Sequence, residues 1–459
     1  GLRFRVGVKW RGVKPSCAAT AAMLQQAVEW QRVGPQPELR QLLSCSSSVC
    51  IADERLDVAP VLQPQCALTS RWTMPQLPGE RPRLAPCLES LAVHGEQPAP
   101  LRAALHSTML VLVGDSINSA LHNALTRVVG NALVLRGKCA GAVDGRLRDC
   151  AGLDMKPGFI DEMKAESNRW ASRFTHAIID RVRAVNATAS SETARLHSLY
   201  LHRLHGLTDV YLRALVLPSP LNMTLAFVND VHHFAKGKVA PTHVRYRWVT
   251  DLVLPALPTL FRDGERRLVV VLNDGMVENV QGNDDARAAS NALTESTAAM
   301  TSAFLTLQDE VAPTAEMLLV ESPPQHFDTP TGLYRPGDRR LLTAACRGAI
   351  DGADAANGTA LLANFRNVAK IAGATRALRE RNANADERGI RVVRQWQALA
   401  LLSGAAAHGR PNGSSFDEPK RRPDARDCTH SSPDSMVYQL QAFFAALLGG
   451  ESTSRIGST

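Results

Sequence analysis

The sequence contains no run of about 18 unbroken apolar residues, so it predicts no membrane-spanning helix. None of its nine cysteines forms a Cys-x-x-Cys pair, which argues against zinc, and we expect no metal. Aromatic residues make up only 5% of the chain. No basic segment interleaves with them, so we do not expect nucleic acid as a partner. No signal peptide is visible. Because the chain begins at Gly1 rather than Met, membrane contact would require an N-terminal anchor outside this sequence.

The composition is that of an ordinary soluble globular protein. The chain has 459 residues, of which 45% are hydrophobic and 21% are charged. This length suits one large α/β domain with a smaller lobe. The net charge of +8 is modest for the length, which leaves an anionic partner such as an acidic polysaccharide as an open alternative.

The cysteines are concentrated near the N-terminus. Five of the nine precede residue 105, namely Cys17, Cys45, Cys50, Cys66 and Cys87. This crowding suits a small disulfide-stapled lobe, over residues 1–104, in an oxidising compartment. Four N-glycosylation sequons point the same way and begin at Asn186, Asn222, Asn357 and Asn412. We therefore predict a protein of the secretory pathway, with one thiol left free or paired between chains.

Strand-like and helix-like sequence patterns alternate along residues 105–449. This alternation predicts a mostly parallel sheet that is covered by helices on both faces. The predicted strands cover residues 109–113, 225–228, 268–272, 317–320 and 390–393. The predicted helices cover residues 117–129, 163–185, 283–310, 360–382 and 432–447. A Gly-, Pro- and Arg-rich surface loop is predicted at 403–426, and residues 450–459 are predicted to be a disordered tail.

A Gly114-Asp115-Ser116 triplet joins the first predicted strand to the first predicted helix. A serine on such a turn has its hydroxyl held clear of the sheet, beside helix N–H groups that favour developing negative charge. The alternative is that Ser116 merely caps the helix. We expect Asp115 to hold the turn together by accepting hydrogen bonds from nearby backbone N–H groups.

Near the C-terminus, Asp427-Cys428-Thr429-His430 supplies a carboxylate and an imidazole three residues apart. With Ser116, these groups complete the parts of an activated serine nucleophile: His430 takes the proton, and Asp427 orients the imidazole. The alternative for Asp427 is a surface carboxylate in a charged loop. Cys428 is expected to be a disulfide anchor, and Cys346 is one candidate partner, although spacing does not fix the pairing.

Two further segments lie between these motifs in the chain. Glu321-Ser322-Pro323-Pro324-Gln325-His326-Phe327 follows one predicted strand, and Leu272-Asn273-Asp274-Gly275 ends another. In order and rough spacing, the four motifs resemble those of the plant trichome-birefringence-like group, in the PC-esterase branch of the GDSL/SGNH hydrolases. That group has Gly-Asp-Ser, Asn-Thr-Gly, Ser-Pro-x-His-Phe and Asp-Cys-Ser/Thr-His.

The resemblance implies an α/β/α sandwich of the SGNH type that transfers acetyl groups to polysaccharide or glycan hydroxyls, usually in the Golgi lumen. Transfer would pass through an acyl-enzyme and would need an acyl donor as co-substrate, with no metal or bound cofactor. One alternative is a glycan acetylesterase that uses water as the acceptor. Another is a secreted, non-catalytic glycan-binding or structural protein on the same fold.

The oxyanion of the reaction is expected to be held by the Ser116 N–H and the Asn273 side chain. Gly114 and Gly275 are the glycines that would let the backbone approach the substrate. Asn229 also follows a predicted strand but is followed by no glycine, so Asn273 is the preferred donor. His326 either lines the cleft or has a structural role. The His232-His233 pair has no Cys, Asp or Glu cluster beside it and is not expected to bind a metal.

Overall fold

The computed structural model describes residues 104–128, 159–190, 193–195, 197–198, 201, 212–217, 222–229, 246–273, 283–325, 327, 329, 333, 365–396, 428–429, 439, 442–443 and 446–447. The predicted N-terminal lobe up to residue 103, the loop at 403–426 and the tail at 450–459 lie outside these residues.

Six strands form one sheet in this part of the chain. They are β1 (Thr108–Gly114), β2 (Leu212–Leu217), β3 (Met223–Asn229), β4 (Arg267–Asn273), β5 (Glu316–Val320) and β6 (Ile390–Val393). The strand order is β2-β3-β1-β4-β5-β6. Every neighbouring pair is parallel except β2 with β3. The prediction of an α/β fold with a mostly parallel sheet is therefore confirmed.

Helices follow the strands as the apolar periodicity predicts. The long ones are α1 (Ser116–Val128), α2 (Phe159–Asn186), α3 (Asn283–Glu310) and α4 (Phe365–Glu380). A further helical stretch runs through Val249–Val253, Leu254–Ala256 and Leu257–Leu260. The described residues of the last predicted helix are helical as well. None of the described helices has the length and apolarity that crossing a membrane requires.

Helices cover both faces of the sheet. On β1, Met109, Val111 and Val113 belong to one apolar cluster, and Leu110 and Leu112 belong to another. Residues of α2, α3 and α4 join the first cluster, whereas residues of α1 and the C-terminal helical segment join the second. Because both faces of β1 are buried, its sequence is a continuous apolar run rather than an alternating one.

The sequence did not predict β2, the antiparallel edge strand. Its Leu-Arg-Ala-Leu-Val-Leu sequence carries a charge near the start. The Arg213 guanidinium lies 4.8 Å from the centre of the Phe227 ring, and it donates to Asn123 Oδ1 at 2.9 Å. These contacts satisfy the cation on the strand and make Arg213 compatible with the sheet.

The strand order defines where a binding crevice belongs. From β1 the chain continues to β2 and β3 on one side of the sheet, whereas from β4 it continues to β5 and β6 on the other side. In open α/β sheets, ligands bind outside the carboxyl ends of the strands at such a reversal. The carboxyl ends of β1 and β4 are Gly114 and Asn273, and these two residues are direct neighbours in the register.

Candidate active site

The two polar residues of the turn after β1, Asp115 and Ser116, have different roles. Asp115 is buried, and its Oδ1 accepts a hydrogen bond from the Ile117 N–H at 2.9 Å. Asp115 thus accepts a hydrogen bond from a nearby backbone N–H group and holds the turn together, as expected from the sequence. Ser116 is the first residue of α1 and is exposed. Because Asp115 already accepts a hydrogen bond from the first turn, the turn does not depend on Ser116 as its cap.

Asn118 ties the first turn of α1 to the sheet. Its Nδ2 donates to Val113 O at 2.9 Å and to Val271 O at 3.1 Å, so it bridges β1 and β4. The side chain is fully buried. Asn118 is the second residue after Ser116, and its hydrogen bonds fix the position of the turn relative to the sheet.

Gly114 is required by a close approach between two strand ends. A Cβ atom on this residue would lie 2.2 Å from the carbonyl oxygen of Asn273 and 3.0 Å from Asn118 Nδ2. Asn229 of β3 is its neighbour on the other side. Both asparagines considered from the sequence therefore flank Gly114.

The Asn273 side chain is buried and has contacts at both ends of its amide. Its Oδ1 accepts hydrogen bonds from Lys370 Nζ at 2.9 Å and from Ser322 Oγ at 3.3 Å. Its Nδ2 faces Asp115 Oδ1 at 3.5 Å. The amide nitrogen is therefore directed at the residue that precedes Ser116.

Helix α4 supplies two side chains that the sequence analysis did not identify. Lys370 is 1% exposed and donates to Asn273 Oδ1, to Val320 O at 2.8 Å and to Ser322 Oγ at 2.9 Å. Asn367 accepts from the Ser322 N–H at 2.7 Å and donates to Ser322 O at 3.0 Å. Asn367, Lys370 and the buried Ala374 are separated by three and four residues, which places them on one face of α4 with its other buried residues. This spacing is the sequence signal from which the two polar side chains could have been identified.

The segment after β5 reaches the C-terminal motif. Gln325 Nε2 donates to Thr429 Oγ1 at 3.4 Å, and Arg366 Nη2 donates to Gln325 Oε1 at 3.4 Å. Cys428 is 1% exposed and disulfide-bonded, as predicted. Its partner lies outside the described residues. Through Thr429, the described part of the C-terminal motif contacts the segment that follows β5.

Glu321 holds the ends of β5 and β6 together. Its Oε2 accepts from the Gln395 and Trp396 N–H groups at 2.9 Å each, and Arg394 Nη1 donates to its Oε1 at 3.3 Å. The Gln395 side chain also donates to Glu321 O. These bonds fix the start of the Ser322–Gln325 segment. The Glu321 carboxylate therefore has a structural role, because its oxygens accept hydrogen bonds from residues just after β6.

Several predicted site residues fall outside the described part of the chain. These are His430, Asp427, Gly275 and His326. The His232-His233 pair, which was not predicted to bind a metal, also lies outside the described residues. Of the predicted residues that are described, Gly114, Asp115, Ser116 and Asn273 lie together at the carboxyl ends of β1 and β4. Within the described ranges, no three His, Cys, Asp or Glu side chains are grouped so that they could hold a metal ion.

Comparison with models of known protein families gave no match to this chain. A search of curated proteins likewise found no matching sequence. The likeness to the PC-esterase branch therefore rests on the four motifs and their order.

Proposed function

We propose that this protein is a serine-dependent acyl enzyme of the SGNH type that transfers acetyl groups to hydroxyls of a polysaccharide or glycan. One observation carries the proposal. Ser116 is exposed at the start of a helix, and the adjacent Asp115 contacts the amide of Asn273 on the neighbouring strand. A nucleophile beside a helix N-terminus and an oriented amide is the arrangement that acyl transfer requires.

In the proposed reaction, Ser116 Oγ attacks the carbonyl carbon of the acyl donor while His430 accepts the hydroxyl proton. Asp427 accepts a hydrogen bond from the other ring nitrogen and stabilises the imidazolium. The Ser116 N–H and Asn273 Nδ2 donate to the oxyanion of the tetrahedral intermediate. Collapse breaks the bond to the leaving group, which takes the proton from His430, and an acetyl ester remains on Ser116.

In the second half of the reaction, a glycan hydroxyl gives its proton to His430 and attacks the acetyl ester. The acetylated glycan leaves, and the proton returns to Ser116. With water in place of the glycan, the same steps make the protein an acetylesterase. The oxidised Cys428 supports placing this chemistry in the secretory pathway, because disulfides persist in oxidising compartments.

The deciding experiment is mass spectrometry of the full chain after incubation with 4-nitrophenyl acetate. We expect an acetyl group on Ser116, released faster when candidate oligosaccharides are present, and acetylated oligosaccharide as the product. Release that is unaffected by any sugar would make the protein an esterase. If Ser116 is neither acetylated nor labelled by a fluorophosphonate probe, the result favours the alternative of a non-catalytic glycan-binding or structural protein.

A further inference from the structure

Lys370 is a buried lysine whose hydrogen bonds lie beside the proposed reaction centre. It is 1% exposed, and burial of an ammonium is costly unless its donors are paired. Its Nζ donates to Asn273 Oδ1 at 2.9 Å, to Ser322 Oγ at 2.9 Å and to Val320 O at 2.8 Å. Three acceptors match the three donors of an ammonium group.

This contact determines which way the Asn273 amide points. An ammonium has donors only, so it requires an oxygen rather than an NH₂ group opposite it. Ser322 Oγ accepts from Lys370 and therefore uses its own proton to donate to the same Asn273 Oδ1. Two donors hold Oδ1. Rotating the amide by 180° would place the Nδ2 donors against the Lys370 ammonium, which has no acceptor for them. Chemistry thus fixes Nδ2 on the side of Asp115.

We propose that Lys370 is a positioning residue, which keeps Nδ2 of the Asn273 amide on the side of Asp115, next to Ser116, so that Nδ2 can donate to the oxyanion formed there. This inference rests on the proposed function and adds a residue to it. The ammonium also withdraws electron density from the amide through Oδ1, which strengthens Nδ2 as a donor. Asn367 supports the arrangement, because it holds both backbone groups of Ser322.

The main test compares Lys370→Met, Asn273→Ala and the double variant in 4-nitrophenyl acetate hydrolysis. Methionine keeps much of the length of the lysine but cannot donate. Because Lys370 acts through Asn273, we expect Lys370→Met to lower kcat by roughly 10- to 100-fold with little change in KM. The double variant should then be no slower than Asn273→Ala alone. Losses in kcat that multiply in the double variant would overturn the proposal.

A matched control separates positioning from simple loss of stability. Gln308 is also buried, and it donates to Ala315 O at 2.6 Å and to Arg388 O at 2.7 Å, just before β5 and β6 begin. Gln308→Met therefore removes two hydrogen bonds, one buried and one partly buried, at the amino-terminal ends of β5 and β6. We expect this variant to lower Tm and leave kcat unchanged, whereas Ser322→Ala, the milder change at the site, should lower kcat roughly tenfold. An unchanged kcat in Ser322→Ala would count against the proposal even if Lys370→Met failed to fold.

A structural readout keeps the test independent of the reaction. In a crystal structure of Lys370→Met, we expect Asn273 Nδ2 to leave Asp115 Oδ1. If folding prevents that experiment, the same displacement is expected in Ser322→Ala. An amide that stays in place would overturn the positioning role whatever the activity. A displaced amide in a protein whose Ser116 cannot be acetylated would uphold the role of Lys370 and reject the proposed function.

Discussion

Gly114 and Asn273 approach so closely that a Cβ atom on Gly114 would lie 2.2 Å from the Asn273 carbonyl oxygen. The contact joins the carboxyl ends of β1 and β4, where the candidate nucleophile and the candidate oxyanion donor meet. Only a residue without a side chain allows these two strand ends to remain in register.

Gly114→Ala is therefore expected to separate the two strand ends and to lower both stability and activity. Overpacking of this kind costs about 1–3 kcal/mol of unfolding free energy. The matched control is Gly373→Ala, whose Cβ would lie 2.4 Å from Thr294 O, between α4 and α3. Thermal unfolding and kcat should show that both variants are destabilised but that only Gly114→Ala is slow. Equal kcat values for the two variants would contradict the role of Gly114 at the site.

Asn273→Ala is expected to lower kcat by roughly 10²–10³-fold with little change in KM, because one preorganised oxyanion donor is lost. Asn229→Ala is the matched control, because Asn229 flanks Gly114 from β3 as Asn273 does from β4. Its kcat should be near that of the parent protein. Steady-state kinetics with an activated acetyl ester check both values. The reverse ranking of the two variants would move the donor to Asn229.

Ser116→Ala, His430→Ala and Asp427→Asn are each expected to abolish turnover while the protein stays folded. Because the three residues act as a unit, their effects should not multiply. Turnover is measured for each single and double variant, and circular dichroism checks the fold. A double variant that is many-fold slower than both of its single variants would argue against a triad.

Cys428→Ser is expected to lower both thermal stability and activity. Cys428 is buried and disulfide-bonded next to Thr429, which contacts Gln325. Loss of a native disulfide typically costs about 2–5 kcal/mol, and here it would also release the segment that carries His430. Calorimetry and kcat measure the two effects. If Cys428 in the folded, non-reduced protein reacts rapidly with an alkylating agent, the disulfide is absent.

His122 of α1 is expected to make stability depend on pH. Burial, together with the nearby Arg213 charge, lowers its pKa from 6.5 to about 3. Between these values the unfolded chain binds a proton that the folded chain does not. The free energy of unfolding should therefore fall as pH drops from 6.5 towards 3, by up to about 1.4 kcal/mol per pH unit. Urea unfolding at several pH values should show a shallower dependence in His122→Leu, and an unchanged dependence would reject this assignment.

The strands and helices with strong periodicity could be predicted from sequence because burial on one or both faces leaves a clear apolar pattern. The β1 run Thr108–Gly114 and the α2 pattern within Phe159–Asn186 are examples. The edge strand β2 could not be predicted in this way. Arg213 interrupts its apolar pattern, and the residues that satisfy the cation, Asn123 and Phe227, are distant in the chain.

The residues of the candidate site also differ in whether their roles could be predicted from sequence. Asp115 could be predicted to hold the turn together because its partner, the Ile117 N–H, lies two residues away. Lys370 could not be assigned a role, because its acceptors are on β4, at the end of β5 and just after β5, and become neighbours only when the sheet forms. Local motifs thus reveal residues that act through nearby backbone, whereas a buried cation is recognised only through contacts that are distant in sequence.

The central position of β1 has a consequence for how the chain folds. Its two neighbours, β3 and β4, are synthesised long after it, and the contact between Asp115 and Asn273 spans 158 positions. Contacts this distant require large loops to close first, which makes folding slow. A nascent chain that ends before β4 would expose one edge of an apolar strand, and such edges recruit other chains. Recombinant production should therefore gain more from slow synthesis and chaperones than from shortening the protein to its first half.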